Sequence, residues 1–210
     1  MINPPLEQVV TQLKVLTQQH GLAKDVSSAD EVQLLQLRQN VSLPAVWAEM
    51  YRLFSPRGFL ISPPGNDQAL YGATELEDAQ VGYGGDTWPA GWIVVGGEGE
   101  YPLIIDTTSP EDTGVYLAQL EVVGMQKKRT ILGWKARQLS ATLIGFLEGL
   151  STYIHQYYSA DGPPFFVPEN VRLEQYRAVL STWRMQPDLE AHIPVWQSWL
   201  GIEHDAQTSS

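Results

Sequence analysis

Between Trp92 and Thr107 the chain reads WIVVGGEGEYPLIIDT, with three glycines and two glutamates between two apolar runs. Glycines after a strand can cradle a phosphate, and clustered carboxylates can hold a hard cation or serve as an acid and base pair. A phosphate cradle needs G-x-G-x-x-G or GxxxxGK[ST] leading into a helix, whose N-terminal amides hold the anion. Here Tyr101, Pro102 and the β-rich LIIDT follow instead, and Glu98 and Glu100 would face the phosphate with like charge. Two unit charges at about 4 Å repel by roughly 1 kcal/mol even in water. A hairpin turn is the favoured reading, with glycines at positions of positive φ and WIVV and PLIID as its strands.

Asp86, Glu98, Glu100, Asp106 and Asp112 form an oxygen-rich set that suits calcium or magnesium, but their order does not match an EF-hand loop. Any acidic β-protein also offers carboxylate pairs on neighbouring strands by chance. His20, His155, His192 and His204 are dispersed, three of them near expected helix ends, and there is no H-E-x-x-H pair or G-x-S-x-G elbow. The chain has no cysteine, which removes thiol nucleophiles, thiolate metal sites and disulfides. No catalytic residue, metal or cofactor is expected.

The formal net charge of −11 works against binding nucleic-acid phosphates or anionic lipid, and favours a basic partner. Its distribution is uneven. Residues 58–126 hold eleven Asp and Glu and no Lys or Arg, whereas KKRTILGWKAR then packs five of the thirteen basic residues into eleven positions. The acidic stretch reads either as a solvated face partly neutralised by the basic run or as a functional acidic surface. Among seven tryptophans, Trp47, Trp92 and Trp134 fall on apolar faces or strand starts and are expected in the core. Trp88, in the glycine-rich GGDTWPAGW, is harder to place there and is a candidate for partner contact.

The elements that must position these residues follow from periodicity. PPLEQVVTQLKVLTQQ places Leu6, Val9, Val10, Leu13 and Leu16 on one helical face, with Gly21 to end it. A second helix is expected from SADE, with Ser28 and Glu31 at capping-box spacing ahead of Val32, Leu34, Leu35 and Leu37. SLPAVWAEMYRLF makes a third, burying Leu43, Trp47, Met50, Tyr51 and Phe54. From Phe59 to Val123 short apolar runs alternate with turn signals, giving about five strands that include ALYG, WIVVG, PLIIDT and VYLAQLEV. Helical spacing returns with Leu139, Leu143, Phe146, Leu147, Leu150 and Ile154. After the connector SADGPPFFVPE, a helical extension over 159–203 is expected to dock on the domain formed by 1–158, with a disordered tail at 204–210. No stretch approaches the ~18 apolar residues of a membrane span, MINPPLEQVVTQ lacks the features of an export signal, and a cytoplasmic location is expected.

The order of LPAVWAEMYRLF, GATELEDA, WIVVGGEGEYPLIID, TGVY, a final tryptophan and a helix ending FLEGL resembles the SUKH superfamily over about residues 28–150. That superfamily includes bacterial immunity proteins of polymorphic toxin systems and relatives of a fungal cell-wall-assembly regulator. By position, Leu43, Pro44, Trp92, Gly96, Pro102, Asp106, Val115, Tyr116, Trp134, Phe146 and Leu147 carry the resemblance. It implies an α+β fold, a curved and mainly antiparallel sheet flanked by helices, without catalytic activity. After VYLAQ the chain departs from the family pattern, with LEVVGMQKKRTILG in place of a polar turn. The function expected is binding and neutralising a basic toxin domain, with Asp86, Trp88, Glu98, Glu100, Glu111 and Asp112 as contacts; the alternative is a housekeeping scaffold using the same sheet.

Overall fold

The computed structural model describes residues 4–63, 67–84, 86–98, 101–109, 113–123, 130–158 and 168–202. Glu100, Glu111, Asp112, His204, most of the SADGPPFFVPE connector and the 204–210 tail lie outside the described residues. The fold is α+β. Helix α1 (Pro4–Gln19) buries the five apolar residues of its expected face, and Gly21, at φ +62°, turns the chain into β1 (Asp25–Ser27). Helix α2 (Glu31–Asn40) starts later than its sequence suggests. Its capping box is Asp30 with Gln33: the Gln33 amide donates to Asp30 Oδ1 at 2.8 Å and the Asp30 amide to Gln33 Oε1 at 3.0 Å. Ser28 instead donates to the Leu53 carbonyl, and the Ala29 amide is held by the Tyr51 carbonyl at 2.9 Å, which keeps this segment extended. Only Leu34 and Leu37 of α2 are buried; Val32 and Leu35 face solvent.

Helix α3 (Ala45–Leu53) begins after Pro44, whose ring sets the backbone entering the helix, and buries Trp47, Met50 and Tyr51. Strand β2 (Ser55–Arg57) pairs with β1 in a small antiparallel sheet. The main sheet has six strands in sequential antiparallel order: β3 (Phe59–Ile61), β4 (Gln68–Leu70), β5 (Trp92–Glu98), β6 (Tyr101–Asp106), β7 (Val115–Val123) and β8 (Thr130–Ser140). Short α4 (Leu76–Gln80) lies between β4 and β5. The β5–β6 hairpin forms as expected but reaches further, closing at the pair Glu98 and Tyr101. Gly97, at φ +85°, takes the left-handed conformation there, and a Cβ on it would press on the Tyr101 carbonyl at 2.6 Å.

The sequence reading missed β8. Leu139, expected to open a helix, is a strand residue, and α5 (Leu143–Tyr157) starts after Thr142, whose hydroxyl accepts from the Gly145 amide at 3.0 Å. Helices α6 (Glu169–Arg184), α7 (Pro187–Glu190) and α8 (Ile193–Trp199) then return to the sheet and to α5. One continuous apolar core runs from α1 and α3 through the inner sheet face to these last helices. Trp196 is its pin: fully buried, stacked on Phe146 at 5.7 Å, and donating its indole N–H to the Leu139 carbonyl at 2.8 Å. Trp183 donates to the Gly149 carbonyl, and Gln68 reaches the Trp199 carbonyl from β4. Among the described residues no helix is long and apolar enough to cross a membrane.

Trp196→Ala removes a large buried ring and strands the Leu139 carbonyl. It is expected to cost about 3–5 kcal/mol, read as a lower urea midpoint at unchanged slope. A cost below about 1 kcal/mol, the range of well-tolerated surface changes, would show that the C-terminal helices contribute little to the core.

Candidate functional site

Side chains alternate across a strand, and here both sets are apolar. Ile93 and Val95 of β5, Leu103 and Ile105 of β6, and Val115 and Leu117 of β7 point into the helical core. Between them Val94, Ile104 and Ala118, each fully buried, form a second, smaller cluster on the opposite face. Its cover is the segment after α4, which brings Tyr83 and Trp88 over the strands. The Trp88 ring centre lies 4.9 Å from Trp134, 5.1 Å from Tyr83 and 5.7 Å from Trp92. Strands β5 and β8 stand three apart, about 14 Å, so Trp88 bridges Trp92 on one to Trp134 on the other. Tyr71, Tyr116 and Ala136 complete the patch, and burial raises the Tyr83 phenol pKa.

One expectation is corrected by this arrangement. Trp92 and Trp134 are half-buried on the outer face, and only Trp47 of the three expected core tryptophans is in the helical core. Trp88 is likewise half-buried, and its indole N–H donates to the Trp92 carbonyl at 3.2 Å.

The covering segment is clasped to the sheet by Gln80, which the sequence reading did not single out. Among the described residues strand β4 is in register with β5 at the single pair Leu70 and Gly96, with the Tyr71 amide donating to the Val95 carbonyl at 2.9 Å, and the β5–β6 register shifts between Val94 and Gly96. At Val94 the Gln80 side-chain amide acts as a piece of strand. The Val94 amide donates to Gln80 Oε1 at 2.9 Å, and Gln80 Nε2 donates to the Val94 carbonyl at 2.8 Å and to the Leu76 carbonyl at 2.7 Å. A glutamine at a helix end carries no sequence signal for this role. Gly96 beside it needs to be glycine because a Cβ would collide with the Ala69 carbonyl.

The acidic stretch is less uniform than its composition suggests. Glu75 accepts from the Gly58 and Gly72 amides, Glu77 from Asn40, and Glu121 lies 3.7 Å from Lys135, so these carboxylates serve the fold. Asp106, at the end of β6 opposite Trp92, accepts from the Thr108 amide at 2.9 Å and hydroxyl at 2.6 Å. Partial burial pushes its carboxyl pKa up, yet hydrogen bonds from Thr108 and from the Trp92 side chain outweigh this and the net shift is downward. Asp86 is exposed in the covering segment. Among the described residues no Lys, Arg or His lies within 4.0 Å of the Asp86 or Asp106 carboxylate.

Of the six expected contact residues, Asp86 and Trp88 are brought to this outer face. Glu98 ends β5, its side chain outside the described set together with Glu100, Glu111 and Asp112. Of the positions carrying the resemblance, Trp92, Tyr116 and Trp134 line the outer face, while Leu43, Pro102, Val115, Phe146 and Leu147 are buried and Pro44 precedes α3. Among the described residues no three His, Asp or Glu gather as a metal site. His20, just past the end of α1, lies near His155 in the last turn of α5, and burial and then the neighbouring imidazole lower the pKa of His20. No protein-family model, curated protein or solved structure matches the chain.

Gln80→Ala leaves the buried Val94 amide and carbonyl without these partners and is expected to cost about 1–3 kcal/mol by urea unfolding. Loss of near-ultraviolet tryptophan circular dichroism should accompany it as the Trp88 segment loosens. For Asp106, a carboxyl pKa lowered by folding contributes stability that is complete above the ordinary aspartate range. That contribution is lost as pH falls through the lowered value. Urea titrations from neutral to strongly acid pH should show this loss in the native chain and a shallower one in Asp106→Asn.

Proposed function

We propose that the chain is a non-catalytic, cytoplasmic protein-binding domain of the SUKH type, an immunity protein that neutralises a basic toxin domain by covering its active site. The observation that carries this reading is the outer sheet face: a tryptophan-centred patch bordered by Asp86 and Asp106, with all its members but Trp134 and Ala136 in a stretch of the chain that has no Lys or Arg. Interfaces are enriched in tryptophan and tyrosine, which supply rigid apolar area with a polar tip. Uncompensated carboxylates around them speed encounter with a cationic surface and reject anionic ones. The order of LPAVW, WIVVGGEGEYPLIID and TGVY supports the family reading, and the side of the sheet opposite the helical core is where the half-buried tryptophans offer a surface to a partner. A housekeeping scaffold would use the same face. The two differ in genetic context: the immunity reading requires a secreted protein with a toxin domain encoded beside this gene.

The test is binding to that neighbouring toxin domain by the triple variant Asp86→Lys, Glu100→Lys, Glu111→Lys, measured by calorimetry at two salt concentrations. Affinity should fall at least tenfold, roughly 1.4 kcal/mol, and the native affinity should weaken as salt shortens the ~8 Å screening length. Unchanged binding by the triple variant would overturn the acidic-face reading.

A further inference from the structure

The basic run that follows the acidic stretch is a separate feature. It forms much of β8, the outermost strand of the sheet, which among the described residues pairs only with β7. Its C-terminal end is anchored from the helical side, where Trp196 binds the Leu139 carbonyl and Arg137 Nη2 donates to Ser198 Oγ at 2.8 Å. From Thr130 to Lys135 no described strand lies outside it. The β6–β7 pairing extends only to Leu103 and Leu117, whereas β7–β8 continues to Val123 and Thr130. Among the described residues this end is therefore a two-stranded ribbon, an arrangement of marginal stability that gains from a third strand. It leaves Leu132 61% and Val122 39% exposed beside a groove of about 430 Å³.

Charge specifies what fits. Lys135 and Arg137, two residues apart, share one face of β8 and both line the groove. Arg137 has no carboxylate within 4.0 Å among the described residues, and its buried Nε has no acceptor. Lys135 faces Glu121 at 3.7 Å with both side chains half or more exposed, a weak pair. Cations on an edge strand keep neutral or basic strands from adding, but opposite charges directly across a pair of strands attract. The guard against most strands is thus a selector for one with carboxylates at alternate positions. A second copy of this chain, with its net charge of −11, would meet long-range repulsion in docking here.

We propose that the outer edge of β8 from Thr130 to Arg137 is a docking site for an extended acidic strand of a partner protein, added by main-chain hydrogen bonds and selected by Lys135 and Arg137. The site shares with the tryptophan face the strand that carries Trp134, but uses its edge and its opposite-facing cations, Lys135 and Arg137, and so has the opposite charge preference. The probe is a fluorescent, N-acetylated octapeptide alternating glutamate and threonine, titrated into the full chain, with amide chemical shifts and amide exchange followed along β8. Expected are shifts and slowed exchange within residues 130–135, and binding at least tenfold weaker for the peptide with lysine in place of glutamate. The glutamate peptide N-methylated at alternate amides should also bind at least tenfold more weakly, and Lys135→Glu should reverse the preference between the acidic and basic peptides. Absence of any response in β8 would mean the guarded edge takes no strand. Undiminished binding of the N-methylated peptide would mean ion pairing without strand addition. Either result overturns the proposal.

Discussion

The middle strands of the sheet are apolar on both faces, and that constraint organises the molecule. Because Ile93, Val94 and Val95, and again Leu103, Ile104 and Ile105, are all buried, neither side can be left to water. The helices cover one side through the continuous core that ends at Trp183, Trp196 and Trp199. The other side is covered by the segment carrying Tyr83 and Trp88, held in place by a side-chain amide standing in for backbone at Val94. Two unlike solutions to one burial problem leave one face sealed by helices and the other carrying half-buried tryptophans. The functional reading grows from that difference.

Elements with strong period were legible in the sequence. The faces of α1 and α3 needed only three and four residue spacing, and the β5–β6 hairpin was marked by glycines between apolar runs. Burial fixed the register of each. Legibility ended where tertiary contacts override local preference. Strand β8 carries Lys135 and Arg137 and gave no strand signal, because an edge strand keeps cations that a central strand would exclude. The α2 cap moved from Ser28 to Asp30 because the Tyr51 carbonyl holds Ala29 extended. Trp92 and Trp134 were assigned to a single core because composition cannot distinguish the two sides of a strand buried on both. Gln80 was invisible: its partner is one backbone position on a strand fourteen residues away.

Charge segregation follows from the same architecture. The cation-free stretch from Gly58 to Gln126 holds strands β3 to β7, and the basic run over 127–137 overlaps β8. Several acids in that stretch, Asp106 among them, accept hydrogen bonds within the fold, whereas Asp86 stands exposed in the covering segment. A sheet with an aromatic, anionic outer face and a cationic edge can distinguish partners by charge as well as by shape.

The central claim is that the tryptophan face, rather than the helical side, meets the partner. Hydrogen exchange of the chain alone and in complex with the toxin domain proposed as its partner tests this most directly. The expected result is slowed amide exchange from Tyr83 to Val94 and around Trp134, with α5 and α6 unchanged. Slowed exchange confined to α5 and α6, with the Trp88 segment unaffected, would contradict it.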